Sequence, residues 1–194
     1  MVRSASMRNK DSVVLQARIL LIIVITALAV LSGCVSQPQE LKVSPVIDMN
    51  PLGGYSGKSE GMFTVLNGSI PEVKERLSSI VIKKAPELSA FSVDDTLNFV
   101  VFRGVFSTGG YGIKINRVVK QGNEFTVFAN YTDPGKGIAV TQVITAPTAI
   151  IPFGKLEKGD YSASLKVTWE VEYKEGTKVI ETEKELKNIE FSVQ

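Results

Sequence analysis

Short runs of alternating apolar and polar residues dominate the second half of the chain, and this period of two is typical of β-strands with one buried face. The clearest run covers 162–173, where every second residue from Ala163 to Tyr173 is apolar or aromatic. After a turn at Glu175-Gly176, the pattern predicts one last strand. Its inward-facing residues are predicted to be Ile180, Ile189, Phe191 and Val193.

Four earlier segments carry the same strand signal. The glycine-containing stretch Gln121-Gly122-Asn123 separates the second segment from the third and predicts a hairpin turn between them. After the fourth, Pro147 and Pro152 are expected to bracket an irregular edge, because proline cannot donate to a strand ladder. The four segments are 96–106, 111–115, 124–131 and 138–146.

One amphipathic helix is predicted ahead of these strands. Ser69 and Glu72 have the spacing of a capping box, and apolar residues then recur at helical spacing, which predicts a helix over about 70–83. The β-branched residues near its end leave a strand as the alternative there, and Pro86 ends the helix at the latest. Together these patterns predict a mainly β fold: an antiparallel β-sandwich or open barrel with one short helix.

The N-terminus has the features of a targeting segment. A basic, polar stretch through Arg18 precedes an apolar run at 19–31, which has the length of a signal-peptide core and is too short for a membrane span. The run ends in Leu31-Ser32-Gly33-Cys34, which resembles the lipobox of prokaryotic lipoproteins, where the cysteine becomes lipid-linked after cleavage. The alternatives are a plain secreted protein and an uncleaved anchor with an incidental cysteine.

This interpretation divides the chain into three parts. A signal peptide at 1–33 is followed by a flexible tether at 34–60, since that stretch mixes proline, serine, glycine and charge without a hydrophobic period, and by a β-sandwich domain at 61–194. Lipid on Cys34 would hold the domain at the outer face of the cytoplasmic membrane or the cell surface.

The charge balance argues against nucleic acid as a partner. The whole chain has a formal charge of +2, but four basic residues and one acid precede Cys34, so the remainder is close to neutral. Nucleotide binding is not expected either. The stretch at 53–59 looks like part of a phosphate-binding loop, but Leu52 stands where that motif requires its first glycine.

The residue types available for catalysis are few. The chain has no histidine, which removes the commonest general base and metal ligand, and its single cysteine allows no internal disulfide. The neighbouring pair Asp94-Asp95 precedes a strand, where turn and capping roles are usual. We therefore expect no enzyme activity, no catalytic residues, no metal site and no cofactor. Asn67 and Asn130 stand in glycosylation sequons.

The stretch Thr108-Gly109-Gly110-Tyr111 poses a separate question, because two glycines directly precede a strand. They allow positive φ and a close backbone approach. With its surroundings, residues 102–147, this stretch resembles the PrcB C-terminal family of protease complex subunits. The matching positions are Gly104, Thr108, Gly109, Gly110, Tyr111, Ile113, Ile115, Pro134, Gly135, Thr141, Gln142 and Pro147, while Gly112 replaces the serine often found there.

The resemblance implies a small β-domain, often lipid-anchored outside the cytoplasm, that assists or stabilises a surface protease complex. If the two glycine loops meet, they form an exposed rim with Thr141 and Gln142, and we expect it to bind another cell-surface protein. The predicted partner-binding residues are Gly109, Gly110, Tyr111, Pro134, Gly135, Thr141 and Gln142. The alternative for the glycines is a simple turn with Tyr111 buried against the core.

Two other functions remain open at this stage. A solute-binding or glycan-binding module predicts a concave cleft lined by aromatic residues. A protease inhibitor of the cell envelope predicts an exposed inhibitory loop, for which 132–138 is the candidate.

Overall fold

The computed structural model describes residues 36–57 and 59–194. The predicted signal peptide and the lipidation site Cys34 lie outside the described residues. Pro38 to Gln194 form one compact unit. Within the part of the chain that the structure describes, no helix is long and apolar enough to cross a membrane.

The compact unit is built mainly from strands. In chain order, its elements are β1 (Gln39–Leu41), β2 (Val46–Asp48), β3 (Met62–Asn67), α1 (Ile70–Lys83), β4 (Ala90–Phe91), β5 (Leu97–Phe102), β6 (Gly112–Gln121), β7 (Glu124–Pro134), β8 (Thr148–Gly154), β9 (Gly159–Tyr173) and β10 (Gly176–Val193).

These strands form two sheets. The larger has six strands in the order β1-β6-β7-β9-β10-β4, and the smaller has four in the order β2-β8-β5-β3. A core of buried side chains joins the two sheets. At its centre Phe99 of the small sheet stacks on Phe153 with ring centroids 4.1 Å apart and meets Phe125 of the large sheet edge-on at 5.3 Å. The sheets therefore share one hydrophobic layer, as in a β-sandwich.

Helix α1 covers the other face of the small sheet. Its buried residues Val73, Leu77 and Val81 share a second hydrophobic cluster with Val100 and Phe102 of β5. Every residue of β5 is buried, because the large sheet covers one face and α1 the other. That double coverage explains why β5 is a continuous apolar run and lacks the alternation of β9.

The predicted helix is confirmed, with bounds of Ile70–Lys83. The backbone N–H of Ser69 donates to the Glu72 carboxylate at 2.6 Å, which is half of the predicted capping box. Lys84 ends the helix in the left-handed conformation at φ 58°. The alternative of a strand over the last turn is wrong, since Leu77 and Val81 reach the same apolar cluster only from a helix.

The predicted mainly β sandwich with one short helix is confirmed, and so is the hairpin of β6 and β7. The large sheet is nevertheless mixed. β7 pairs with β9 in parallel over Glu124–Pro134, and β10 pairs with β4 in parallel at its last two residues. After β7 the chain crosses to the small sheet, where it forms β8, and it then returns to the large sheet as β9. This crossover allows β9 to run parallel to β7.

Two strand assignments in the middle of the chain are corrected. Residues 138–146, predicted to be a strand, are irregular and make only a single bridge, between Thr145 and Phe106. The next segment, between Pro147 and Pro152, was predicted to be an irregular edge. It belongs to the buried strand β8, which lies between β2 and β5. β8 accommodates Pro152 because β2 pairs with β8 only as far as Ile150. On that side of β8, no neighbouring strand requires a backbone N–H from residue 152, which proline lacks.

Ile180 does not face inward as predicted, since its side chain is 59% exposed. The β9–β10 ladder contains register shifts between Val179 and Glu181, between Glu181 and Lys184, and between Glu185 and Lys187. Val179, the neighbour of Ile180 on the opposite face, is 50% exposed as well, so neither face of the strand is buried near the tip of this hairpin. Phe191 and Val193, beyond the last shift, are buried as predicted.

The segment predicted as a tether contributes to both sheets. β1 pairs with β6 and β2 pairs with β8, each as an edge strand of three residues. Leu52 is buried in the cluster beneath α1. The expectation was a free tether through residue 60, since this stretch has no hydrophobic period. A segment of three residues can, however, pair with the edge of an existing sheet without such a period.

Candidate functional site

Three segments that are separate in sequence meet at one end of the sandwich. The backbone N–H of Gly109 donates to the carbonyl of Thr141 at 2.8 Å, and the Thr145 hydroxyl donates to the carbonyl of Thr108, also at 2.8 Å. Phe106 and Thr145 exchange two backbone hydrogen bonds of 2.8 and 3.0 Å. The irregular segment 138–146, which follows β7, is thus hydrogen-bonded to residues 106–109, which precede β6.

Glycine allows these segments to approach closely. Gly110 has φ +89°, and a Cβ there would lie 2.8 Å from Val140 and 2.9 Å from Pro134. Gly135 lies against the β9–β10 hairpin, where its N–H donates to the Glu172 carbonyl at 2.7 Å. We call the surface formed by residues 107–111, 133–135 and 140–145 the rim. The predicted meeting of the two glycine loops is therefore present in the structure.

A buried arginine lies directly beneath the rim. The side chain of Arg103 is 3% exposed, and its guanidinium forms an ion pair with Asp133. One terminal nitrogen donates to the carbonyls of Gly112 at 2.9 Å and Thr132 at 2.7 Å. The planar guanidinium thus joins the end of β7 to the start of β6, a geometry that a lysine ammonium cannot reproduce.

Three aromatic rings surround the same guanidinium. Its central carbon lies 4.6 Å from the ring centroid of Tyr131, 5.2 Å from that of Phe106 and 5.5 Å from that of Tyr111. Phe106 and Tyr111 stack on each other at 3.8 Å. Burial raises the pKa of the Tyr131 hydroxyl to about 12, and the nearby Arg103 cation offsets only part of that rise. Cation–π contacts and an ion pair together hold the guanidinium at this end of the sandwich.

The predicted partner-binding residues are close together but differ in exposure. Thr141 and Gln142 are exposed, as is Gly110, whereas Gly109 is buried and Tyr111, Pro134 and Gly135 are half-buried. Tyr111 is neither a free contact residue nor a core residue, since its ring lies on Phe106. Val143, which was not predicted, is 58% exposed beside Gln142.

Sequence reasoning missed Arg103, although a signal for it was present. Arg103 is the only charged residue in the predicted buried strand 96–106. A charge that enters the core needs a partner, so an acid elsewhere had to face it. Asp133 is that partner, but its position beside Pro134 pointed only to a turn.

The other singled-out polar residues have structural contacts. The Asn67 amide donates to Asp95 at 2.8 Å, and the Asn130 amide donates to Glu170 at 2.5 Å, so both sequon nitrogens are engaged in the folded domain. Asp95 also accepts from the Ser92 backbone at 2.8 Å, and its own N–H donates to the Ser92 carbonyl, which is the expected turn role. The two hydrogen bonds that its carboxylate accepts, the one from Asn67 first, lower the pKa of Asp95. Across residues 36–57 and 59–194, no cluster of three or more potential metal ligands occurs.

These features define a small, mainly β, sandwich-like domain with a hydrogen-bonded, glycine-built rim at one end. Residues 98–153 match the family model described as PrcB C-terminal, which confirms the predicted resemblance over this segment. No curated protein and no solved structure matches the chain. The matched segment contains all seven predicted partner-binding residues as well as Arg103 and Asp133.

Proposed function

We propose that this protein is a lipid-anchored, extracytoplasmic protein-binding module that assists or stabilises a surface protease complex and is not itself an enzyme. The main support is the coincidence of two observations. The segment that matches the PrcB C-terminal family is also the segment that builds the rim. The family's association with protease complexes supports a peptidase as the partner.

The rim has physical properties that suit a protein contact. Its irregular segment presents Thr141, Gln142 and Val143 to solvent, while the hydrogen bonds to Thr108 and Gly109 hold the backbone in place. A loop that is already ordered loses little conformational entropy on binding. Exposed loops fixed by a rigid scaffold are common binding surfaces.

A substitution pair separates binding from stability. We expect Gln142→Ala to reduce co-purification of the partner at least about tenfold, since it removes an exposed contact of about 1.4 kcal/mol or more. The matched control is Gln121→Ala. Gln121 is an exposed glutamine at the β6–β7 turn, at the end of this hairpin that lies away from the rim. Both variants are expected to melt within about 2 °C of the parent, as surface substitutions usually do.

The partner is identified by crosslinking on intact cells. A photoreactive amino acid at position 142 is expected to capture a cell-surface peptidase, detected by mass spectrometry, and the same group at position 121 is not. Equal capture at both positions, or none at 142, would contradict the proposed contact. A purified domain that blocks a panel of peptidases would favour the inhibitor function over the stabilising one.

A further inference from the structure

A cavity of about 360 Å³ lies between the two sheets, next to the rim. This volume is within the range of small-molecule sites, which begins at roughly 300 Å³. Side chains from both sheets line it, and most of them are apolar or aromatic. They include Met62, Tyr131, Leu165, Trp169 and Leu186.

The polar part of the cavity wall is mainly cationic. Arg103 and Lys187 line the cavity, against the single carboxylate of Asp133. Arg103 is almost fully buried, and its Nε has no hydrogen-bond partner within the described part of the chain. A buried donor without an acceptor is unfavourable. Asp133 balances the charge of Arg103, so the excess positive charge is that of Lys187, an exposed residue beside the apolar wall, and it attracts an anion.

We propose that this cavity binds a small monocarboxylic acid, with the apolar part of the acid against Trp169 and Leu186 and the carboxylate beside Arg103 and Lys187. The cavity shares Asp133 with the rim, but it does not include the proposed contact residue Gln142. The same chemistry occurs in a free aromatic or aliphatic acid and in the C-terminal residue of a peptide. The experiment below distinguishes these two sources.

Trp169 provides a direct signal of binding. It is the only tryptophan of the chain and it lines the cavity, so its fluorescence reports on the site alone. The full-length protein is titrated with 3-phenylpropionate, 3-phenylpropanol and 3-phenylpropylamine, which share the apolar group and differ in charge. We expect a saturable change with the acid, binding at least about tenfold weaker with the alcohol, and no saturation with the amine.

A charge-reversal pair tests the location. Lys187→Glu is expected to weaken phenylpropionate binding about fivefold or more, because it replaces an attractive charge at the cavity by a repulsive one. Lys178→Glu, an exposed lysine on the same strand that does not line the cavity, is expected to leave binding unchanged. Unchanged melting temperatures show that both variants are folded.

The tripeptide Gly-Gly-Phe and its C-terminal amide distinguish the sources. Binding of phenylpropionate together with the free-acid peptide, but not the amide, identifies a chain terminus as an accepted ligand, and binding of phenylpropionate alone identifies a free acid. The proposal is overturned if phenylpropionate gives no saturable signal, if the alcohol binds equally well, or if the two lysine variants behave alike. None of these outcomes depends on crosslinking at position 142, so this site and the proposed function fail independently.

Discussion

At the scale of single residues, the rim depends on where a Cβ atom can be tolerated. Gly110 combines a positive φ with close approaches to Val140 and Pro134. Two positions later, Gly112 has neither constraint, since a Cβ there would be in ordinary contact with Thr132 at 3.5 Å. The departure from the family's serine at Gly112 is therefore sterically unimportant.

These two glycines yield a prediction about stability. We expect Gly110→Ala to lower the free energy of unfolding by about 1–3 kcal/mol, because a side chain is strained at this φ and displaces two neighbours. We expect Gly112→Ala to change it by less than about 0.5 kcal/mol. Urea denaturation measures both, and an equal loss in the two variants would show that backbone strain at Gly110 is not the cause.

The glycines were predictable as a close approach, but the ion pair beneath them was not. A glycine pair before a strand has few explanations, since other residues rarely adopt positive φ. Arg103 was visible as a charge in an apolar run, yet its partner Asp133 lies 30 positions away. Local patterns do not contain such pairings, which exist only once the strands are aligned.

At the scale of elements, local signals succeeded where they were strong. The helix was predictable because capping and apolar period agree over Ile70–Lys83. The segment 138–146 was mispredicted because its apolar and β-branched residues suit a strand, while its hydrogen bonds go to the turn at Thr108 and Gly109. Tertiary contacts outweigh strand propensity there.

The helix cap gives a prediction about pH. The hydrogen bond from the Ser69 backbone, followed by that from its hydroxyl, lowers the pKa of Glu72 below its ordinary value. The ionised carboxylate therefore stabilises the folded state fully above the unfolded pKa of about 4.3, and this contribution is lost as the pH falls through the folded-state pKa.

We accordingly expect Glu72→Gln to be less stable than the parent at pH 7 and closer to it at pH 3. Thermal melts at the two pH values measure the difference. Glu75→Gln, on the exposed face of the same helix, serves as the control. A constant difference between the Glu72 variant and the parent would show that ionisation of the cap contributes nothing.

At the scale of the whole molecule, the sequence predicted the class of fold but not the arrangement of its strands. Alternation in β9 and the turn before β7 identify a β-sandwich without any knowledge of partners. The parallel pairing of β7 with β9 joins strands separated by β8, and nothing local specifies it. β1 and β2 escaped notice because three-residue edge strands carry almost no pattern.

The proposed location is tested on the whole chain. We expect Cys34→Ser to abolish incorporation of labelled fatty acid into the protein, because lipid attachment requires the thiol. Ser36→Ala is the control and is expected to incorporate the label as the parent does. Immunoprecipitation from cells grown with labelled palmitate measures both. A Cys34 variant that still incorporates the label would contradict lipid anchoring at this position.

The outer edge of β10 has a consequence for crowded surroundings. Before Ser192, none of the described strands pairs with that side of β10, and residues 176–185 are exposed, so a row of backbone donors and acceptors faces solvent there. The three register shifts bend this row, and charged side chains such as Lys184 and Glu185 are spread along it. Irregular, charged margins resist pairing between neighbouring copies. Many copies at high local concentration can therefore remain separate without a dedicated cover for that edge.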